Sequence, residues 1–397
     1  MNNQVMNVTT QLPTAERQEP VPQQALAWLE ETCRRLLQQA RNPWPSGLVC
    51  YYPAANGEAY PAFFLRDFTY MVESAPQFIP AEDVRFAIDA FLGGIYRDES
   101  APQLIARDGQ CQYFCHGARL PALDNAMFLV NLVDAYARHY LDDRHLQSHF
   151  ESLQRVLAAV PTDRQTQLAW VDPRRPYTSY GFQDTVEKSG CDLFCSLLLH
   201  QAHAKLATHA ARLGRHEQAG VHREKMQGIV AGLEALYSAA DGLYLAASES
   251  CRQVDIWGSI FGCAMGVFPP QRRQEVARQL WEQRDRYLHR AQVRHLRQGE
   301  YWESLFTANI NYRVFLRPGQ FQNGAYWATP TGWLAEVFES VQPGTGVALL
   351  CELVADMRAH GVWECVGPEG YCRVAGNLSS VALPLASLRR ISNGRHE

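Results

Sequence analysis

The chain has 397 residues, 47% apolar and 20% charged, with a formal net charge of −4. That length holds one large domain or two of ordinary size, and the apolar share supports a sizeable core. The charge balance excludes a bulk electrostatic pull toward nucleic acid or an acidic membrane. No window reaches about 18 uninterrupted apolar residues, so no membrane span is expected.

The opening stretch MNNQVMNVTTQLPTAERQEPVP is polar and lacks an apolar h-region. It reads as a flexible leader over residues 1–20 rather than a secretory signal, with 21–397 as one catalytic domain. Eleven cysteines, an odd number, run from Cys33 to Cys372 without a regular framework. Cys195, Cys263 and Cys351 fall inside apolar periodic segments, where a thiol behaves as a small hydrophobe. A reducing, cytoplasmic setting is therefore expected.

Helical periodicity dominates from there on. The first helix is expected over Pro22–Ala40, with Leu26, Leu29, Cys33, Leu36 and Leu37 on one face and Pro22 suited to its first turn. A short apolar piece at Phe68–Glu73 precedes a helix at Ala81–Tyr96. Leu123–Tyr140 and Arg144–Val160 follow, joined by a short polar link. Gly190–Leu213 and His216–Tyr237 form the next pair, divided by Gly214-Arg215. Asp255–Met265, Pro270–His289, Ala325–Ser340, Gly344–His360 and Ser379–Arg390 complete about twelve helices. Most lie in consecutive pairs with short connections. Longer Gly/Pro/aromatic loops, 42–65, 98–121 and 164–181, separate the pairs and fall at one end of the assembly. The pattern predicts an all-α (α/α)6 toroid without a sheet. Helices apolar on more than one face, such as CDLFCSLLLHQAHAKLA, suit an inner ring buried on both sides.

Chemistry-bearing residues cluster at the loop-to-helix junctions. Arg66 and Asp67 sit among aromatics in AFFLRDFTYMVES; Asp124 and Asn125 lie in LPALDNAMF. Asp184 and Glu187 lie in YGFQDTVEKSG; Gln253, Asp255 and Trp257 lie in CRQVDIWGS. Gln322, Asn323, Tyr326, Trp327 and Trp333 share GQFQNGAYWATPTGW, and Glu364 and Glu369 share HGVWECVGPEGY. Each has a plainer reading: Asp124 and Asp255 as helix N-caps, Arg66–Asp67 as an internal ion pair, Asp184 and Glu187 as a capping box. Together they are the vocabulary of carbohydrate recognition. Aromatic faces stack on pyranose C–H surfaces, and amides and carboxylates answer vicinal hydroxyls. Glycoside cleavage adds two carboxyl groups, one acid and one partner across the ring.

At these residues the chain resembles the six-hairpin glycosidases of the (α/α)6 class, particularly the trehalase-like and related inverting hydrolases. FFLRDFTYM is similar to that group's aromatic-Arg-Asp segment at the sugar subsite, and YGFQDT to the turn that carries the general acid. QNGAYWATPTGW resembles its Q/N-G-x-W loop, and VWECVGPEGY its late segment with the general base. The acid turn lacks the Arg that follows it in trehalases, Glu187-Lys188 standing there instead, and the long C-terminal trehalase signature is absent. The resemblance implies an inverting, exo-acting hydrolase of a small carbohydrate, with Asp184 as acid and Glu364 as base. Arg66, Asp67, Asp124, Gln253, Asp255, Trp257, Gln322, Asn323, Tyr326, Trp327 and Trp333 would bind substrate. Glu187, Glu303 and Glu369 are rivals for the two catalytic roles.

Three alternatives stand beside it. CQYFCHG places Cys111, Cys115 and His116 together and resembles the zinc segment of lanthionine-cyclase-like toroids, although C-x₃-C is an uncommon zinc spacing. A sugar epimerase or isomerase on the same toroid would use a base such as His203 or His209. A sugar-binding toroid without catalysis is the third. No phosphate-cradling Gly loop or dinucleotide fingerprint occurs, so neither a nucleotide cofactor nor, on the main reading, a metal is expected. Oligomeric state does not follow from the sequence.

Overall fold

The computed structural model describes residues 22–55, 57–114, 121–177, 179–306 and 316–394. Among these, twelve α-helices alternate in what they bury, and the alternation sorts them into two rings. In chain order they are α1 (Pro22–Ala40), α2 (Leu65–Ser74), α3 (Ala81–Gly93), α4 (Asp124–Tyr140), α5 (Arg144–Ala158) and α6 (Leu193–Arg212). Then come α7 (His216–Gly232), α8 (Ile256–Ala264), α9 (Pro270–Glu282), α10 (Thr331–Val341), α11 (Thr345–His360) and α12 (Ser379–Ser392).

Every residue of α4 from Asp124 to Ala137 is buried, as is every residue of α12 from Ser379 to Leu388. By contrast α5 buries only Leu146, Phe150, Leu153, Val156 and Leu157, the single stripe of a helix with one wet side. The first kind forms a closed inner ring: α2 packs on α4, α4 on α6, α6 on α8, α8 on α10, α10 on α12, and α12 on α2. The odd-numbered helices lie outside, α3 and α5 against α4, α7 against α6, α9 against α8 and α10, α11 against α10 and α12, and α1 against α12. This is the expected (α/α)6 toroid.

Among the described residues, five small antiparallel sheets accompany the helices, where none was expected. The largest has five strands, Leu288–His289, Gln292–Val293, Tyr326–Trp327, Trp363–Val366 and Cys372–Ala375. Strand pairing explains two shortened helices. α9 gives way to a 3₁₀ turn and the Leu288–His289 strand, and α10 starts at Thr331 because Tyr326 and Trp327 pair with Val366 and Cys365. Strands of two residues carry no readable alternation, so their partners decide them.

The expected capping box at Asp184 is also absent. α6 starts later, and its N-cap is Asp192, which accepts the Cys195 amide N–H at 2.8 Å. Asp184 instead ends the 3₁₀ turn Gly181–Gln183. No disulfide links the described cysteines. Among the described residues, no helix is long and apolar enough to cross a membrane.

Candidate active site

The helix starts of the inner ring meet at one end of the toroid. Arg66, in the first turn of α2, donates two hydrogen bonds to Asp124 at the start of α4, at 2.7 and 2.9 Å. Both side chains are buried, so this planar, charge-assisted pair is held firmly. Asp124 also accepts the Gly181 N–H at 3.0 Å, tying the Gly181–Gln183 turn to both helices. A Cβ on Gly181 would fall 1.6 Å from the Arg66 guanidinium carbon, so glycine is required there by close approach.

Behind that turn lies a buried polar network. The Lys188 ammonium pairs with Asp192 at 2.7 Å and donates to the Gln183 Oε1 at 2.7 Å. The Gln183 amide in turn donates to Asp255 at 3.2 Å and lies 3.2 Å from His295 Nδ1. Burial disfavours the Lys188 charge, but Asp192 and its other acidic neighbours outweigh it and hold the ammonium protonated. The turn bearing Asp184 is thus fixed from below as well as from the side.

Asp184 is positioned by Gln322. The Thr185 N–H and hydroxyl both donate to the Gln322 Oε1, at 2.8 and 2.6 Å, which turns the amide nitrogen toward Asp184. That nitrogen donates to the Asp184 Oδ1 at 2.7 Å. Glu364 comes from the Trp363–Val366 strand, accepts a hydrogen bond from the Tyr60 hydroxyl, and has the Arg373 guanidinium 3.1 Å from its second oxygen. Arg373 lies over the Phe321 ring, 4.4 Å from its centroid.

Asp67, Asp184 and Glu364 all line one pocket. Arg66, Gln103, Gln322, Tyr60, Phe182 and Trp327 are among its other walls. Burial pushes the Glu364 carboxyl up to about 7, against the opposing pull of Arg373 and Tyr60 and with help from Asp67 and Asp184. Asp67 is raised to about 6, again first by burial, with Arg66 opposing and Asp184 and Asp124 adding to the rise.

Of the expected site residues, the structure brings Asp184, Glu364, Arg66, Asp67, Gln322 and Trp327 to this pocket. It places seven elsewhere. Asp124 is fully buried beneath the pocket, holding Arg66 and Gly181. Asp255 is the N-cap of α8, accepting the Gly258 N–H at 3.1 Å. Trp257 is fully buried, stacked on His295 with centroids 3.9 Å apart. Gln253 ties down backbone at Tyr301 and Glu303. Asn323 does the same for Leu316 and Trp302. Tyr326 lies against His289, and Trp333 packs in the inner ring with Phe261 and Tyr70.

The rival carboxylates are also elsewhere: Glu303 and Glu369 are exposed, and Glu187 accepts from Ser304 at 3.4 Å. Arg66 and Asp67 do not form the internal pair considered above; Arg66 pairs with Asp124. Of the histidines considered as bases, His203 meets His222 at 2.9 Å and His209 meets Asp134 at 2.8 Å, both between helices. Cys115 and His116 lie outside the described residues. Sequence reasoning missed Tyr60, Gln103 and Arg373. The first two lie in the long loops assigned to the functional end, whose composition announced a loop without indicating which side chain turns inward.

No protein-family model matches the chain, and no curated protein does. Solved structures do. A structure of an uncharacterized conserved protein from Thermus thermophilus is 17% identical, covering 90% of this chain and 99% of that one, with TM-score 0.65. The GH63 mannosylglycerate hydrolase of the same organism, in complex with glucose, is 17% identical over 90% of this chain and 99% of its own, with TM-score 0.59. A rhamnosidase from Klebsiella oxytoca with rhamnose bound is 13% identical, covering 92% of this chain and 64% of that one, with TM-score 0.61. The chain therefore has the (α/α)6 toroid fold of these solved structures.

Proposed function

We propose that the protein is an inverting, exo-acting glycoside hydrolase of a small glycoside or oligosaccharide. The observation that carries this reading is the convergence of Asp67, Asp184 and Glu364 on one aromatic-walled pocket at the helix-start end of the toroid. The glucose and rhamnose bound to proteins of the same fold support a carbohydrate substrate. The chain's own residues would serve each step.

Asp184, oriented by Gln322, gives its proton to the leaving glycosidic oxygen. Glu364 acts as base on a water at the opposite face of the sugar. A base near pKa 7 combines proton affinity with a substantial ionised fraction at neutral pH. Tyr60 and Arg373 favour its ionised form and hold it in place. Asp67 and Arg66 meet sugar hydroxyls at the bottom of the pocket, and Trp327 and Phe182 offer apolar faces to the ring. Gln103 adds a buried Oε1 with no partner among the described residues, an acceptor suited to a substrate hydroxyl. The exo preference follows from a pocket, rather than a long groove, at one end of the toroid. The described cysteines, none of them in a disulfide, are compatible with a cytoplasmic setting.

The test is a panel of small glycosides, with the anomer of the released sugar followed by NMR. An initial product of inverted configuration is expected; retention would overturn the water-activating role of Glu364. Asp184→Asn and Glu364→Gln should each lower kcat by about 10²–10⁴-fold. Activity within about tenfold of wild type in either would remove that residue from its role.

A further inference from the structure

A second cluster of ligating side chains lies on the outer wall. His145 and His149 are one turn apart on α5, so both leave the same face of that helix. Asp89 reaches them from α3, its Oδ1 2.7 Å from the His145 Nε2. The imidazole centroids of His145 and His149 are 5.7 Å apart, and one donor atom from each of the three residues lies within 4.8 Å of the others. The edge of Tyr136 packs on the His145 ring at 5.8 Å and limits its rotation.

We propose that Asp89, His145 and His149 bind a divalent transition-metal ion of the zinc class, clasping α3 to α5. Two imidazoles and a carboxylate are a preferred donor set for such an ion, with the fourth position left to water. Zinc–ligand bonds of about 2.0–2.2 Å bring tetrahedral donors to about 3.4 Å apart, so small side-chain rotations suffice to close the present arrangement. The ion replaces the proton that now bridges Asp89 and His145. Both helices pack on α4, so a metal bridge would join two outer helices resting on one inner helix.

The site is remote from the pocket. Asp124 at the start of α4 touches the pocket's Arg66, whereas His145 follows the far end of α4. His145 packs on Tyr136, twelve residues along from Asp124, which at about 1.5 Å per residue is a separation of about 18 Å along the helix. The role is therefore structural, and it does not depend on the glycoside hydrolase reading.

Chelator-stripped protein titrated with zinc chloride by calorimetry tests the proposal, alongside thermal unfolding with and without zinc. Wild type is expected to bind one ion with a Kd of about 10 µM or tighter and to gain several degrees in Tm. His149→Gln and Asp89→Asn should each weaken binding by on the order of tenfold or more and lose the Tm gain. Neither variant should change the zinc-free Tm by more than about 2 °C, since both sites are at the surface. Absence of saturable binding at about 100 µM zinc, or binding by both variants equal to wild type, would overturn it.

Discussion

Glu364 shows how one residue's surroundings set its chemistry. Burial raises its proton affinity, Arg373 and the Tyr60 hydroxyl lower it, and the balance lies at about 7. In the proposed role as base Glu364 must be ionised to work, so kcat/KM should climb with pH through about 7 and fall again once the proposed acid has lost its proton. Arg373→Met removes the cation that favours the ionised form, so the rising limb should move to higher pH, by about one unit. A pH–rate profile of the variant measures it directly. A limb that stays in place would mean another group governs the ascent. The same residue marks a limit of sequence reading. VWECVGPEGY locates Glu364, but its cation stands nine positions later on the adjoining strand, reached only because Cys365 pairs with Arg373.

At the scale of elements, the junction of α2, α4 and the Gly181–Gln183 turn holds the candidate acid. Each of the three supplies one group: the Arg66 guanidinium, the Asp124 carboxylate and the Gly181 N–H. Gly181→Ala would drive a methyl into the Arg66 guanidinium, which its two bonds to Asp124 prevent from yielding easily. We expect the turn to shift instead, with kcat down on the order of 10²-fold because Asp184 is misplaced. Stability should fall by about 1–3 kcal/mol, as for other overpacked sites. Kinetics and a thermal melt of the same variant read both effects, and wild-type kcat would show that this junction does not position the acid. In sequence Asp124 and Asp184 look alike, each a carboxylate near a helix start. Burial separates them: one became the support, the other a pocket wall.

For the whole molecule, the pocket stores electrostatic cost. Asp67 has its proton affinity raised from the ordinary 3.8 to about 6, chiefly by burial. The native state then binds this proton more tightly than the unfolded chain. Stability is unaffected below about pH 4, declines as pH climbs to about 6, and stays lowered above that. Asp67→Asn removes the charge, so the variant should be more stable than wild type at pH 8, by on the order of 1–2 kcal/mol, and equal to it near pH 4. Paired chemical denaturation curves at the two pH values provide the check; an unchanged or reduced stability at pH 8 would refute the stored cost. Activity is expected to fall in the same variant, the usual consequence of relieving strain at a site.

The toroid was legible in the sequence because helical burial is periodic: one apolar stripe marks an outer helix, and apolar residues all round mark an inner one. Asp184, Glu364, Arg66 and Asp67 stand out in the sequence as charged residues set among aromatics, and the structure brings all four to one pocket. Other features had no local signal. The two-residue strands, the role of Gln322 in orienting Asp184, and the Lys188 network depend on partners up to 138 positions away. Side chains such as Trp257 and Trp333 look like sugar platforms in sequence, and only the closing of the inner ring decides that they are core. Local pattern records which face of an element is apolar. Which polar groups meet across the ring follows from how the hairpins close, and that is settled in tertiary structure.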